Sequence, residues 1–497
     1  MDTKRRRFIK GISGAALSAT VLSSCFSPAK KRESSDLKTV KSVGSIDKVF
    51  DAIVVGAGLS GLHAAMILEE SGFEVLVLEG RRRLGGRVYT LDDVPGKPEA
   101  GGEYMGANYA RMRNVVGKLG LETFTPEFDN ASRPWSYNIR GQHITKDEWE
   151  SHPLNPLEGE DRKLLPHRML WTLSDKNNPL DGHGLDAWLK PEFAQYDIRQ
   201  DQYLRSIGLN EETIRLMNVM IHSGGMTRTS ALNELRRYHV SGFNSNMTFE
   251  DGTSWKQVSG GNSLLPKGMA ESLSTYPLLN KTVVAFEEKN NQVNVHCADG
   301  TNYKAQNVVC SIPMTVLKNV TFEPQITGIT YEAINQIEYG LSIQAHYLIK
   351  EPYWEKDGLD PNIWTDGPLE RFAVRSKEDP SQPESAVAFI NGPESFKFRL
   401  MSDEQVFKYV EDMVLKLRPS AKGLLEPIMI QSCERDIHGA GDWVVWQPGQ
   451  VTKFGNHMRK NHGRIHFAGE HTAIMERGME GAFESGERAA MDIILAS

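Results

Sequence analysis

Gly56, Gly58 and Gly61 fall in a Gly-x-Gly-x-x-Gly pattern, and Glu79 follows eighteen residues after the last of them. Glycines at this spacing let the chain turn tightly and bring bare backbone against a pyrophosphate, while Leu59 and Ser60 start a helix whose N–H groups face the anion. An acid at the distance of Glu79 accepts hydrogen bonds from a ribose diol. Gly80 and Arg81 come next, then a second glycine pair with a cation, Gly85-Gly86-Arg87. That pair adds close backbone approach and a fixed guanidinium beside phosphates. Further glycine-rich segments are Gly101-Gly102-Glu103-Tyr104, Gly469-Glu470 and Gly478-Met479-Glu480-Gly481-Ala482. The common chemistry is the grip on a dinucleotide. Within the run Arg81-Arg82-Arg83, at least one side chain is expected to be merely solvated.

The elements that must position these residues are legible. Residues 49–55 read as a buried β-branched strand, 62–71 as a helix and 73–78 as a second strand ending at Glu79. Residues 282–286, 292–297 and 307–312 alternate as further strands, with Asp299-Gly300 as a hairpin turn. Residues 481–495 carry the small and apolar side chains of a buried helix. A chain of 497 residues exceeds what one core usually serves, so two interlocked domains are expected.

Taken in order, Gly56 to Gly61, Gly85-Gly86-Arg87, the segment from Glu99 to Gly106, Gly260-Gly261-Asn262 with Leu265-Pro266, Ser311-Ile312-Pro313, and Phe467-Ala468-Gly469-Glu470 followed by Met479-Glu480-Gly481-Ala482 resemble the flavin-containing amine oxidase family. Its members include monoamine, polyamine and L-amino-acid oxidases. The resemblance implies an α/β fold in which a Rossmann-type FAD-binding domain interlocks with a mixed α+β substrate-binding domain. It places the first domain at 48–109, 250–319 and 436–497, and the second at 110–249 and 320–435. It implies non-covalent FAD, because no cysteine stands near Gly441 to tether a flavin. By the same resemblance, Val283 or Val284 meets the adenine end, Glu470 meets the ribityl or phosphate region, and the helix starting near Gly478 and Met479 faces the flavin C2 carbonyl. Negative charge develops there on reduction, and a positive helix end stabilises it.

The substrate side carries no motif of its own. Gln344 aligns where many members place a lysine that holds a water near flavin N5; glutamine keeps the hydrogen bonds and lacks the charge. One wall of the usual aromatic cage falls at Gly478, and the other is offered by Trp443 or Trp446. Arg477 is the candidate clamp for an α-carboxylate. The implied reaction is hydride transfer from the carbon beside a neutral amine, belonging to an L-amino acid or a primary amine, with oxygen reoxidising the flavin to give hydrogen peroxide. A flavin dehydrogenase or desaturase serving a quinone or a protein stays open, as does a non-catalytic flavoprotein that binds a partner. His222 and His471 read as structural.

A net charge of −7 argues against nucleic acid as a partner, and no metal-type cluster of cysteine and histidine occurs. Residues 1–26 read as a twin-arginine signal, with Arg5 and Arg6 ahead of Phe8, Ile9 and Lys10 and a short run of small residues after them. The expected destination is the periplasm, either soluble or as a lipoprotein anchored through Cys25. Residues 27–47 read as a polar linker, and no run of apolar residues is long enough to span a membrane. Whether the protein forms a homodimer is left open.

Overall fold

The computed structural model describes residues 48–126, 134–221, 223–243, 247–375, 378–379 and 382–497. The signal, the linker, Cys25 and His222 lie outside the described residues. Among the described residues no helix is long and apolar enough to cross a membrane, and no cluster of metal ligands occurs.

The first sheet has seven strands, in the order Thr321–Glu323, Val283–Lys289, Gln292–Cys297, Asn302–Cys310, Val49–Val55 and Val75–Leu78, with Ile465–Phe467 paired beside Asn302–Cys310. Val49–Val55 is parallel to both of its neighbours, with Val55 opposite Leu78 on one side and Cys310 on the other. Cys310 is in turn level with Phe467. The carboxyl ends of four strands therefore stop at one edge, and the residues that follow (Gly56, Glu79, Ser311 and Ala468-Gly469) leave the sheet together. Ligands of open parallel sheets bind at such an edge. The expected strands and hairpin are present, although the strand read as 307–312 runs from Asn302 to Cys310.

The opening helix, Leu59–Glu70, is buried along most of its length, against the closing helix Gly478–Ala496. A Cβ on Gly486 would come within 2.2 Å of the Ser60 carbonyl, so the two helices touch backbone to backbone. Their core also takes Met112, Val115 and Val116 from helix Ala110–Lys118. That helix and strand Thr321–Glu323 therefore pack with the first domain, although the family resemblance places residues 110–249 and 320–435 in the second.

The second seven-stranded sheet runs Leu425–Ser432, Ser342–Ile349, Glu384–Asn391, Arg371–Arg375, Asn362–Thr365, Trp135–Ile139 and Gln142–Ile144. Alternate residues point to opposite faces. Ile343, Ala345, Tyr347, Phe372, Val374, Ala388 and Ile390 form an apolar face that packs on Val406, Val410 and Val414 of helix Asp403–Leu417. The residues between them are Gln344, Phe389 and Arg371, with Gln431 of the neighbouring strand beside Gln344. Register makes these a single row, because Gln344 lies opposite both Gln431 and Phe389, and Phe389 opposite Arg371.

Candidate active site and cofactor cleft

A continuous cavity of about 840 Å³ joins the strand edge of the first sheet to this row of the second. Along its first part run Gly56, Gly58, Leu59, Ser60, Glu79, Gly80, Arg81, Gly85, Gly86, Arg87, Gly101, Gly102, Gly469, Glu470, Gly478, Met479 and Ala482. Residues scattered over most of the chain thus converge on one cleft.

The glycines divide by task. Gly61 does not line the cavity; a Cβ there would lie 1.9 Å from the Gly56 carbonyl, so it serves helix–strand contact. At Gly58 a Cβ would meet only the Gly86 Cα, at 3.9 Å, and would stand in the cleft itself. Gly58 is also the N-cap of the opening helix and offers no side-chain cap, which leaves the first-turn amides to whatever occupies the cleft. The Glu79 carboxylate accepts from the Ala57 and Arg81 amides, each at 2.8 Å, which fixes both oxygens at the cavity wall. The solvated member of the arginine run is Arg82, which is exposed, while Arg81 reaches Asp436 at 2.6 Å. Of the two valines, Val283 lines the cavity. Val284 is turned outward by the pleat and is 38% exposed, so the expectation of a contact from Val284 is corrected to Val283.

Arg87 binds the Asp442 carbonyl and lies 3.0 Å from Glu470 Oε1. Burial works against the Arg87 charge, but Glu470, followed by Tyr339, outweighs it and holds the pKa above the usual arginine value. Glu470 Oε1 also accepts from the Val444 amide at 3.0 Å, whereas Oε2 is buried without a hydrogen-bond partner among the described residues. A buried carboxylate oxygen at a cavity wall calls for a donor from the occupant. A hydroxylated, phosphorylated dinucleotide meets that demand together with the bare backbone of Gly58 and Gly86.

The far end of the cavity takes Gln344, Gln431, Phe389 and Arg371 as its floor. His167, Arg168, Leu170 and Trp171 of helix Pro166–Asp175 line it, with Tyr104, Tyr109, Trp255, Arg237, Arg375 and Glu103 completing the wall. Gln344 Oε1 is 3.2 Å from Nε2 of His346, which burial and Arg375 push down to about 3, so the ring is neutral and donates. Glu103, expected at the cofactor, instead points its carboxylate at Arg375, 2.7 Å away.

Three expectations for the substrate end change. Trp443 lines the cavity, but Trp446 does not; it is buried with its ring 5.9 Å from Trp188. The two flank the short strand Val444–Val445, and a separation of three residues in extended chain puts them on opposite faces. Arg477 is not in the cavity wall. Its guanidinium lies 5.2 Å from the Trp443 ring centre and 3.7 Å from Glu234, which removes it as a carboxylate clamp. Gly478 lines the cleft with no side chain, so a ring on that side is missing and Trp443 is the aromatic wall that remains from the expected pair. His471 is fully enclosed and outside the cavity wall, consistent with packing.

The same fold is found in known proteins. Residues 59–494 match the family model for flavin containing amine oxidoreductase. The chain belongs to that family. Human amine oxidase [flavin-containing] B is 27% identical over 461 residues, spanning 90% of this chain and 86% of the human protein. The zebrafish (Danio rerio) amine oxidase [flavin-containing] is 25% identical over the same share of each. Among solved structures, putrescine oxidase bound to putrescine matches with a TM-score of 0.74 at 22% identity, and cyclohexylamine oxidase from Brevibacterium oxydans with 0.73 at 22%; both cover 90% of this chain and 99% of the other. As a member of the flavin amine oxidoreductase family the protein is a two-domain flavoprotein whose cofactor is FAD. Glu79, Val283 and Arg81 would hold its adenosine end, Gly58, Gly86 and the opening helix its phosphates, and Glu470 and the start of the closing helix its flavin end. A side chain at Gly441 would come within 2.2 Å of Tyr339 Cβ. The sequence did not single out His167, Arg168, Arg371, Phe389 or Gln431. They belong to no motif, and only strand register and helix packing bring them to the cavity.

Proposed function

We propose that the protein oxidises the carbon bearing an amino group in an L-amino acid or primary amine, yielding an imine that water converts to a carbonyl compound and ammonia, with oxygen as electron acceptor and hydrogen peroxide as product. The observation that carries this reading is the single cavity running from the glycine turns to the row Gln431, Gln344, Phe389 and Arg371. FAD held in the cleft would supply the acceptor for the hydride equivalent. The protein's part is to orient and to dry. Trp443 would present a face to the amine, and Gln344, fixed by His346, offers a hydrogen-bonding group that would hold a water beside the reacting carbon. His346 and His167 are both pushed to about 3 and do not charge near neutral pH, so neither competes for the amine's proton as a second cation. No strong base is needed if the amine enters deprotonated. Export through Arg5 and Arg6, with the folded, flavin-loaded protein as cargo, belongs to the same proposal.

Gln344 favours a second reading of the oxidative half, in which a quinone or protein takes the electrons, since no lysine charge is there to assist oxygen. The deciding experiment follows the flavin absorbance anaerobically with L-amino acids and with amines, then admits oxygen and assays peroxide. Bleaching by either class supports the reductive half, and peroxide supports oxygen as acceptor. Bleaching without peroxide selects the dehydrogenase. A fully loaded flavin that neither class bleaches sinks the proposal.

A further inference from the structure

Within the amine-oxidising reading above, we propose that the cavity selects an amine carrying an anionic group several bonds away from the amino-bearing carbon, held between Arg371 and Arg168. The register fixes the separation. Gln344, Phe389 and Arg371 sit opposite one another on consecutive strands, so Arg371 stands two strand spacings, roughly 10 Å, along the floor from Gln344. An α-carboxylate beside the reacting carbon does not span that distance, whereas a carboxylate at the end of a short aliphatic chain does, with the arginine side chain reaching inward.

The charges at this end are unequal. Glu103 is the one carboxylate among the lining residues there, and Arg375 already meets it at 2.7 Å. Arg237 pairs with Glu234 at 3.4 Å and covers the Trp171 ring at 3.8 Å. Arg371 engages Glu370 through Nε alone, at 2.9 Å, and that carboxylate also accepts from Asn391 at 2.8 and 2.7 Å. The Arg371 guanidinium lies over Phe389, 4.6 Å from the ring centre, with its Nη groups unbonded among the described residues. Arg168 has no ion pair or side-chain hydrogen bond among the described residues; it is exposed yet lines the cavity, which puts it at the rim. His167 sits within electrostatic reach of both, is bound through Nδ1 to the Tyr137 hydroxyl at 2.9 Å and is stacked on Trp135, so it adds an imidazole without a charge. Two guanidiniums with open N–H groups therefore serve this end, Arg371 from the floor beside Phe389 and Arg168 from the rim. A carboxylate satisfies them; a distal ammonium meets two like charges instead.

The test compares ω-aminohexanoate, hexylamine and hexanediamine as reductants of the holoenzyme flavin in anaerobic stopped flow. The expected order places ω-aminohexanoate first, by about tenfold or more over hexylamine in rate per concentration, with hexanediamine last. Arg371→Gln and Arg168→Gln should each lower the aminohexanoate-to-hexylamine ratio by about tenfold. Arg371→Lys, which keeps the charge, should restore part of it, and flavin absorbance reports whether each variant is folded. Hexylamine or hexanediamine equal to or better than ω-aminohexanoate overturns the inference while leaving amine oxidation standing. If none of the three reduces the flavin, amine oxidation fails for this class and calorimetry with adipate, which has no amine, still decides the anion site. Adipate binding weakened about tenfold by both glutamine variants supports the site; no binding, or binding indifferent to them, overturns it.

Discussion

Arg87 Nη1 lies 3.0 Å from Glu470 Oε1, an ion pair closed across 383 residues of chain. Glu470 is 3% exposed, so removing its cation leaves a buried carboxylate uncompensated. Such a loss costs about 3–5 kcal/mol. Arg87→Met should lower both thermal stability and the ratio of flavin to protein absorbance. Glu470→Gln, which removes charge and keeps shape, should be the milder change for stability while still weakening FAD. Equal, small losses for both would mean the pair does not organise the cleft.

The glycine turn offers a cleaner separation of fold from binding. Gly58 has φ −80°, which any residue adopts, and a Cβ there meets only the Gly86 Cα at 3.9 Å. Gly58→Ala should therefore yield a folded protein that binds FAD weakly, read as unchanged circular dichroism with a raised Kd for added FAD. Gly61→Ala drives a Cβ to 1.9 Å from a backbone oxygen and should lower folded yield itself.

Gln344 and His346 test the oxidative half-reaction. Gln344→Lys would set an ammonium beside a ring that burial keeps neutral. If a charge at this place assists oxygen, reoxidation of the reduced flavin in air-mixed stopped flow should rise on the order of tenfold, the equivalent of about 1.4 kcal/mol of barrier. An unchanged reoxidation rate, with flavin fully loaded, would remove this position from the oxygen chemistry.

Glu99 gives a pH signature of stability. Burial, against the hydrogen bonds from the Asn262 amide and Thr90, raises its pKa from 4.5 to about 8. Between those values the folded chain keeps a proton that the unfolded chain has lost, so stability falls as pH rises through that window. Glu99→Gln carries no titrating proton and should flatten the decline. Melting temperatures measured at about pH 5 and about pH 9 should therefore draw closer together in the variant than in the parent. A parallel decline in both proteins would assign the effect to other groups.

Non-covalent attachment of the flavin is open to a direct test. Acid precipitation should leave the yellow colour in the supernatant, because Gly441 has no side chain and Cys433, the cysteine in the cavity wall, has its thiol pushed well up by burial. A yellow pellet would point to a tether at Cys433.

By itself the sequence determined a grip on a dinucleotide, and its resemblance to a family pointed to FAD. Gly56, Gly58, Gly61, Glu79, Gly85-Gly86-Arg87 and Gly469-Glu470 act through backbone shape and local spacing, and such requirements are written contiguously along the chain. It also determined the strands that carry them, since burial on both faces of a parallel sheet leaves an unbroken apolar run. Tertiary structure decided the substrate end. Which of Trp443 and Trp446 faces the cavity turned on a two-residue strand pairing, and Arg477 is no carboxylate clamp because its guanidinium lies against Trp443 and Glu234. Arg371 met Gln344 through register across an intervening strand, and Arg168 joined them from a separate helix. Side chains that converge from distant strands and helices leave no spacing in the sequence, because the distances that matter are set by hydrogen-bonded register and packing.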